Sequence, residues 1–279
     1  MSETGDRDAR PAPARRKVIK GLGIAAGGLA LGAGVGAAAP RDDDHEAKAS
    51  AIPIAGPWRP SHGHVDVTWS VDTSQKLVAL TFDDGPMPKW TPMVHDILDQ
   101  ERVKATFFLV GQRLVHHARI VHGRMDRHEA GNHTWTHADL AQLTHPDACR
   151  QVQRAHAAIT RITGKEPKHL RPPYGRLGGA TLSAAGKFGY DITLWSIKML
   201  EKTYQDHPPQ LVDYIVNNTQ PGTIVLAHDT GNPDRLVALR NLVPMIRGLR
   251  AKGFEFVTVS ELTAAAGPPP APPTEALHA

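Results

Sequence analysis

Apolar runs alternate with amphipathic stretches through the middle of the chain, and the first run is the best defined. It covers Leu77–Phe82 and is followed at once by Asp83, Asp84 and a Gly-Pro pair. An apolar run of this length that ends at turn residues is typical of a buried strand. We therefore predict a strand over Lys76–Phe82 with two carboxylates at its carboxyl end, although Asp-Gly is by itself also a common turn signal.

The same reading predicts a regular alternation of strands and helices. The further strands are Lys104–Val110, His169–Arg171, Asp191–Trp195, Thr223–Ala227 and Phe254–Val259. The helices are Thr91–Gln100 (capped by Thr91), Arg113–Arg127, Asp147–Thr163, Thr181–Phe188, Gln210–Asn218 and Asp234–Ala251, and Glu129–His137 is read as a polar loop. This order predicts an α/β fold with parallel strands, about seven of them, and both a barrel and an open sheet fit it.

The N-terminal segment, residues 1–39, has the pattern of an export signal. Arg15-Arg16 opens a basic stretch, and an uncharged run rich in Gly and Ala follows from Gly21 to Ala39. The paired arginines indicate a twin-arginine signal, and a transmembrane anchor is the alternative. We read residues 40–74 as a linker and lead-in, 75–263 as the folded domain, and 264–279 as a disordered tail rich in Ala and Pro.

Charge gives no support to a nucleic-acid-binding function. Residues 1–39 hold six of the 32 Lys/Arg and three of the 28 Asp/Glu, which leaves 26 against 25, a net charge of +1, in the remainder. The basic pI therefore belongs partly to the export segment. Cys149 is the single cysteine, so the chain cannot form an internal disulfide.

Three further segments carry candidate chemistry. His133 and His137 are four residues apart, a spacing that lets two imidazoles face one metal, although solvated loop histidines fit equally. Arg171 stands in a stiff Arg-Pro-Pro-Tyr-Gly turn with Tyr174, which either aims the arginine at a carboxylate or merely makes a rigid exposed turn. His228 ends a predicted strand, where a structural histidine is the alternative to a catalytic one.

Together and in this order, these segments resemble the polysaccharide deacetylase family, the NodB-homology domain of carbohydrate esterase family 4. The resemblance runs over most of Lys76–Leu262. It rests on Thr81–Gly85, His133–His137, Arg171–Tyr174 and Leu226–His228, with looser matches at Ala105–Phe108 and Gly131-Asn132. It implies a distorted (β/α) barrel, usually of seven strands.

The resemblance also implies a metal site and a substrate site. Asp84, His133 and His137 match the family's metal ligands, which suit zinc, or alternatively cobalt or nickel. Leu226 would line the acetyl pocket. Trp135 would either contact the substrate near the metal loop or simply pack.

Catalytic roles follow in the same way. Asp83 matches the general base and Arg171 the residue that orients it. The backbone N–H of Tyr174 would stabilise the oxyanion, and that residue borders the substrate. His228 matches the general acid that protonates the leaving amine.

One segment departs from the family pattern. Where the family often places a supporting aspartate, this chain has Lys198, which cannot pair with Arg171. Either Glu201 or Asp206 would take its place, or the support is absent. Our hypothesis is that Glu201 is the substitute.

The sequence therefore predicts an exported, metal-dependent enzyme that removes N-acetyl groups from an acetylated polysaccharide such as peptidoglycan or chitin. One alternative is an esterase for O-acetyl groups on xylan-type glycans. Another is a wall-binding module of the same fold that has lost activity. No nucleic acid is expected as a partner, and no membrane domain beyond the N-terminal anchor considered above.

Overall fold

The computed structural model describes residues 64–231 and 233–267. The predicted export signal, most of the lead-in and most of the C-terminal tail lie outside these residues. Within the described ranges, no helix has both the length and the apolarity that crossing a bilayer requires.

The nine strands of the described region form one sheet in which all neighbouring strands are parallel. They are β1 (Val67–Thr68), β2 (Leu77–Asp83), β3 (Thr106–Leu109), β4 (Glu129–Asn132), β5 (His169–Leu170), β6 (Asp191–Thr193), β7 (Ile197–Lys198), β8 (Thr223–His228) and β9 (Glu255–Val257). Their order is β1-β6-β5-β4-β3-β2-β8-β7, and β9 also pairs with β2. The predicted parallel α/β fold is confirmed, and β1 lies inside the predicted lead-in.

The sheet must curl because β6 and β7 stand near its opposite ends. Six strand spacings separate them in the sheet order, which would be about 29 Å in a flat sheet. Only Leu194–Ser196, the closing segment, connects them in the chain. Four peptide steps reach at most about 14 Å. The strands therefore wrap round a common axis, as expected for a distorted barrel.

Helices follow most of the strands. They are α1 (Trp90–Glu101), α2 (Gly111–His116), α3 (Ala118–Val121), α4 (His145–Thr163), α5 (Gly179–Phe188), α6 (Pro208–Asn218), α7 (Leu236–Arg240), α8 (Leu242–Ala251) and α9 (Val259–Ala264). The largest apolar cluster of the described residues packs β2, β3 and β8 against α1, α6 and α8. This packing fixes the position of the carboxyl end of β2, where Asp83 and Asp84 stand.

One prediction about the strands was wrong, and one strand was not predicted. The stretch read as a polar loop begins with a strand, β4, whose sequence Glu-Ala-Gly-Asn contains no apolar run. Its strand conformation follows from pairing with β3 on one side and β5 on the other. The short strand β7, which pairs with β8, was also not predicted.

The helix predictions need four corrections. The helix predicted over Arg113–Arg127 is two short helices, α2 and α3, and that over Asp234–Ala251 breaks into α7 and α8 at Asn241. Thr91 does not cap α1, since the helix begins at Trp90 and the Thr91 hydroxyl is buried. The helix α9 was not predicted, although Thr258 and Glu261 form a capping box at its start.

Candidate active site

The carboxyl ends of neighbouring strands bring the candidate residues together. Strands β2 and β8 pair in parallel, with Asp83 directly opposite His228. Strands β3, β4 and β5 continue the sheet on the other side of β2, and the loop after β4 carries His133 and His137. In α/β barrels, the carboxyl ends of the strands are the usual place for chemistry.

Asp84, His133 and His137 form a cluster that fits a metal ion. One ligand atom from each lies within 4.8 Å of the other two. Asp84 Oδ1 stands 2.9 Å from His137 Nε2 and 3.4 Å from His133 Nε2. This oxygen is buried and accepts no well-formed hydrogen bond from the described residues. A buried carboxylate oxygen that faces two imidazole nitrogens is a donor set suited to zinc and similar metals, so the residues fit such an ion.

Hydrogen bonding fixes how these ligands are presented. The Nδ1 of His133 donates to the backbone carbonyl of Arg171 at 2.6 Å, so Nε2 faces Asp84. Burial alone would raise the pKa of Asp84, but the close imidazoles of His133 and His137 and the hydrogen bond from Arg235 outweigh it and hold that pKa well below its usual range. These contacts therefore favour the ionised form of Asp84, the form in which a carboxylate binds a metal.

Backbone strain concentrates in this cluster. Six described residues other than glycine have positive φ, and four of them are Asp84 (76°), Thr134 (67°), His137 (61°) and Tyr174 (63°). Such conformations cost about 1–3 kcal/mol each and persist where the surrounding structure enforces them. Their presence here marks the loops after β2, β4 and β5 as shaped for function.

Arg171 holds Asp83 from inside the barrel. Its side chain is fully buried, and Nη1 donates to Asp83 Oδ1 at 2.7 Å and to the Thr81 hydroxyl at 2.7 Å. Nε and Nη2 donate to the carbonyls of Thr193 and Leu194 at 3.0 and 2.7 Å. The guanidinium is therefore satisfied without any acidic residue at position 198.

Glu201 approaches His228. Its Oε1 lies 3.4 Å from the Nδ1 of His228, and the glutamate is 8% exposed. Asp206 is exposed, and Lys198 points to solvent on β7. Of the two acidic residues that could replace the family's aspartate, the structure thus brings Glu201, and not Asp206, to the site.

The predicted substrate residues occupy different environments. Tyr174 is 62% exposed, and its ring meets the His137 ring edge-on at 5.0 Å. Leu226 is buried on β8 beside Thr81. Trp135 is half-buried beneath the guanidinium of Arg154, 4.2 Å from its ring, and packs against Gly111. These contacts favour the packing role for Trp135.

Sequence reasoning missed three polar residues of the site. Arg235 Nη1 donates to Asp84 Oδ2 at 2.7 Å, and Arg113 Nη1 donates to the Asp84 carbonyl at 2.5 Å. Burial raises the pKa of Asp229 to about 7, despite a 2.5 Å hydrogen bond from the Thr91 hydroxyl. Asp229 was visible as the residue after His228, whereas no local pattern marked either arginine.

This chain is similar in sequence to known deacetylases. A sequence model of the family described as polysaccharide deacetylase matches residues 70–193. A peptidoglycan-N-acetylglucosamine deacetylase of Bacillus cereus is 35% identical over 198 residues, which are 70% of this chain and 92% of that enzyme. A chitin deacetylase of a Pestalotiopsis species is 36% identical over 196 residues, 67% of this chain and 63% of that enzyme.

A solved structure of a deacetylase is also similar to this chain. It is a peptidoglycan N-acetylglucosamine deacetylase in complex with a benzamide compound, and it superposes with a TM-score of 0.67 at 30% identity over 72% of this chain and 94% of that one. The chain therefore belongs to the polysaccharide deacetylase family.

Proposed function

We propose that this protein is an exported, metal-dependent hydrolase that removes N-acetyl groups from amino sugars of a polysaccharide, with peptidoglycan or a chitin-like glycan as substrate. The observation that carries the proposal is that two groups of residues lie side by side at the carboxyl ends of the strands. Asp84, His133 and His137 make a metal cluster, and Asp83, held by Arg171, stands next to it in register with His228.

The metal would be held by Asp84, His133 and His137. A bound divalent ion, zinc or alternatively cobalt or nickel, supplies a Lewis acid and lowers the pKa of water toward 7. Three protein ligands would leave a coordination position for a further group, as hydrolytic metal sites do, and the His137 side chain is 22% exposed on that side.

Asp83 acts as the general base in this proposal. It ends the buried strand β2 and is held by a fully buried guanidinium at 2.7 Å, which fixes the direction of its carboxylate. From that position it takes the proton of the attacking water. Arg171 has no other acidic partner within hydrogen-bond distance among the described residues, so its charge is directed at the base.

His228 acts as the general acid. It stands opposite Asp83 across the β2–β8 pair, so base and acid flank one space. The Oε1 of Glu201 lies 3.4 Å from Nδ1, so it orients the ring and directs Nε2 toward the leaving nitrogen. Proton delivery is needed because an amine leaves as a neutral group only after it is protonated.

Two further residues shape the acetyl site. The left-handed backbone at Tyr174 presents its N–H at a fixed angle, and we assign this group to the charge that develops on the carbonyl oxygen. The exposed Tyr174 ring borders the open side, where a sugar would lie. Leu226 supplies apolar surface for the acetyl methyl.

Export and location belong to the same proposal. Residues 1–39 would direct the folded protein across the membrane by a twin-arginine route, and bacterial relatives named as peptidoglycan deacetylases support a secreted or cell-wall location. Replacement of both Arg15 and Arg16 by lysine should keep the protein inside the cell. Unchanged secretion of that variant would rule out the twin-arginine route.

Acetate release tests the activity. The full chain is stripped of metal, reloaded with zinc or cobalt, and offered chitin oligomers, peptidoglycan and acetylated xylan. We expect acetate from an N-acetylated glycan, its loss in His133→Ala, and its retention in His116→Ala, an exposed histidine. Acetate from xylan alone would favour the esterase, and glycan binding without acetate from any substrate would favour the binding module.

A further inference from the structure

Arg235 is a positively charged residue next to the metal cluster. It lies in none of the sequence motifs on which the family resemblance rests. It ends a 3-10 turn, Pro233–Arg235, after β8. Its Nη1 donates to Asp84 Oδ2 and to the Thr230 hydroxyl, both at 2.7 Å. A quarter of the side chain is exposed, so the guanidinium lies at the rim of the site and not beneath it.

The two carboxylate oxygens of Asp84 therefore have different partners. Oδ1 faces His137 and His133 and has no well-formed hydrogen bond among the described residues. Oδ2 is occupied by Arg235. A carboxylate whose second oxygen is bound to an arginine has one oxygen left to offer to a metal ion.

We propose that Arg235 is a positioning residue for the metal: it limits Asp84 to ligation through Oδ1, and its charge lowers the affinity of the cluster for a divalent cation. This inference rests on the metal site of the proposed function but not on the substrate or the reaction. Ligation through two oxygens would occupy a position that a hydrolytic metal keeps open.

Removing Arg235 should change metal affinity more through the loss of its positive charge than through the loss of its hydrogen bond to Asp84. Asp84 is anchored without Arg235, because it directly follows strand β2 and its backbone carbonyl accepts a hydrogen bond from Arg113. Removing Arg235 should therefore leave the backbone of Asp84 in place while it frees Oδ2. It does remove a positive charge next to a ligand of a dication, in a buried site where such repulsion is weakly screened.

Metal affinity of the full-length protein tests the proposal directly. Zinc dissociation constants are measured by competition with a chromophoric chelator for wild type, Arg235→Met, Arg235→Lys and Arg240→Met. Arg240 is exposed and ends the adjacent helix α7, so its substitution removes the same charge away from the cluster. We expect Arg235→Met to bind zinc about tenfold more tightly, and Arg235→Lys and Arg240→Met to stay within about threefold of wild type.

The visible spectrum of the cobalt-loaded proteins supplies a second readout. Ligation through both Asp84 oxygens raises the coordination number, which weakens the absorption bands of cobalt in Arg235→Met and leaves them unchanged in Arg240→Met. Equal or weaker zinc binding by a folded Arg235→Met would overturn the proposal. If Arg235→Met does not fold, a cobalt spectrum and zinc affinity of Arg235→Lys that differ from wild type by more than the Arg240 control would overturn it as well.

Failure of this inference can be told apart from failure of the proposed function. A wild-type protein that binds zinc but releases no acetate leaves the role of Arg235 intact. A wild-type protein that binds no zinc overturns both the metal site and the role of Arg235.

Discussion

Asp83 and His228 are direct partners in the register of β2 and β8, so two residues far apart in the chain face one another across a single pair of strands. Each has its own support: Arg171 stands 2.7 Å from Asp83, and Glu201 stands 3.4 Å from His228. The candidate base and acid are thus neighbours, and each is held by a different side chain, the base by an arginine and the acid by a glutamate. Such separate supports allow one side chain to be changed without moving the other.

Glu201→Gln should lower kcat and change KM little. The substitution removes the carboxylate that lies 3.4 Å from His228 Nδ1 and orients that ring, so kcat should fall by about tenfold. Both constants are measured on an N-acetylated oligosaccharide. Asp206→Asn, an exposed neighbour, serves as the control. An unchanged kcat in Glu201→Gln would remove the residue from the mechanism.

Arg171→Met should destabilise the fold as well as abolish activity. The substitution leaves Asp83 buried without its partner, and breaking a buried pair in this way costs about 3–5 kcal/mol. The free energy of unfolding is measured in urea. The double variant Arg171→Met/Asp83→Asn removes the unpaired charge and should regain part of that loss. If the double variant is no more stable than Arg171→Met, the ion pair is not what the arginine supports.

A buried histidine pair makes the fold sensitive to acid. His95 and His128 are at most 2% exposed, their rings are 5.2 Å apart, and none of their ring nitrogens has a hydrogen-bond partner among the described residues. Burial lowers the pKa of His95 to about 3 and that of His128 to about 4. Arg124 also lowers both pKa values, while Asp99 raises them.

The unfolded chain therefore binds protons that the folded chain does not. As pH falls below about 6.5, the usual pKa of histidine, the free energy of unfolding should decrease, by about 2 kcal/mol for each residue at pH 5. Urea unfolding at pH 7.5 and 5 measures this loss. His95→Phe, which keeps a ring against Phe107, should lose less stability over that interval than wild type or His116→Gln. Equal losses in all three proteins would contradict the assignment.

Because Gly85 has no side chain, the Asp229 carboxylate can pack directly against its backbone. A Cβ at Gly85 would lie 2.4 Å from Asp229 Oδ2, so Gly85→Ala should cost about 1–3 kcal/mol by overpacking. Asp229→Ala removes the obstacle together with the hydrogen bond from Thr91. In a double-mutant cycle the two changes should therefore be less harmful together than their sum, by at least about 1 kcal/mol. Additive losses would show that the contact does not limit residue 85.

The sequence was informative where chemistry follows an apolar run. Asp83 and His228 end strands that could be predicted from hydrophobicity alone, Asp84 directly follows one of them, and the His133–His137 spacing suggested a metal. Family resemblance then supplied their roles. Glu201 could be proposed because it lies close to Lys198 in the chain, although only the structure shows which group it approaches.

The remaining features depend on contacts that are distant in the chain. Strand β4 has no apolar run and is held in place by its two neighbours, β3 and β5. Arg235 reaches Asp84 across 151 residues of sequence, and nothing around it differs from an ordinary exposed turn. The break at Asn241 is likewise invisible in periodicity, because the apolar positions on either side continue. Tertiary packing decides all three.

The closing segment Leu194–Ser196 has a consequence for how the enzyme could be divided. A cut there yields one fragment with the metal cluster, Asp83 and Arg171, and a second fragment with Glu201 and His228. Neither fragment has both a base and an acid, and Arg171 bonds to the carbonyl of Leu194 at the cut itself. Acetate release from a mixture of the two would therefore report their reassociation, which makes this connection the natural place to build a split reporter.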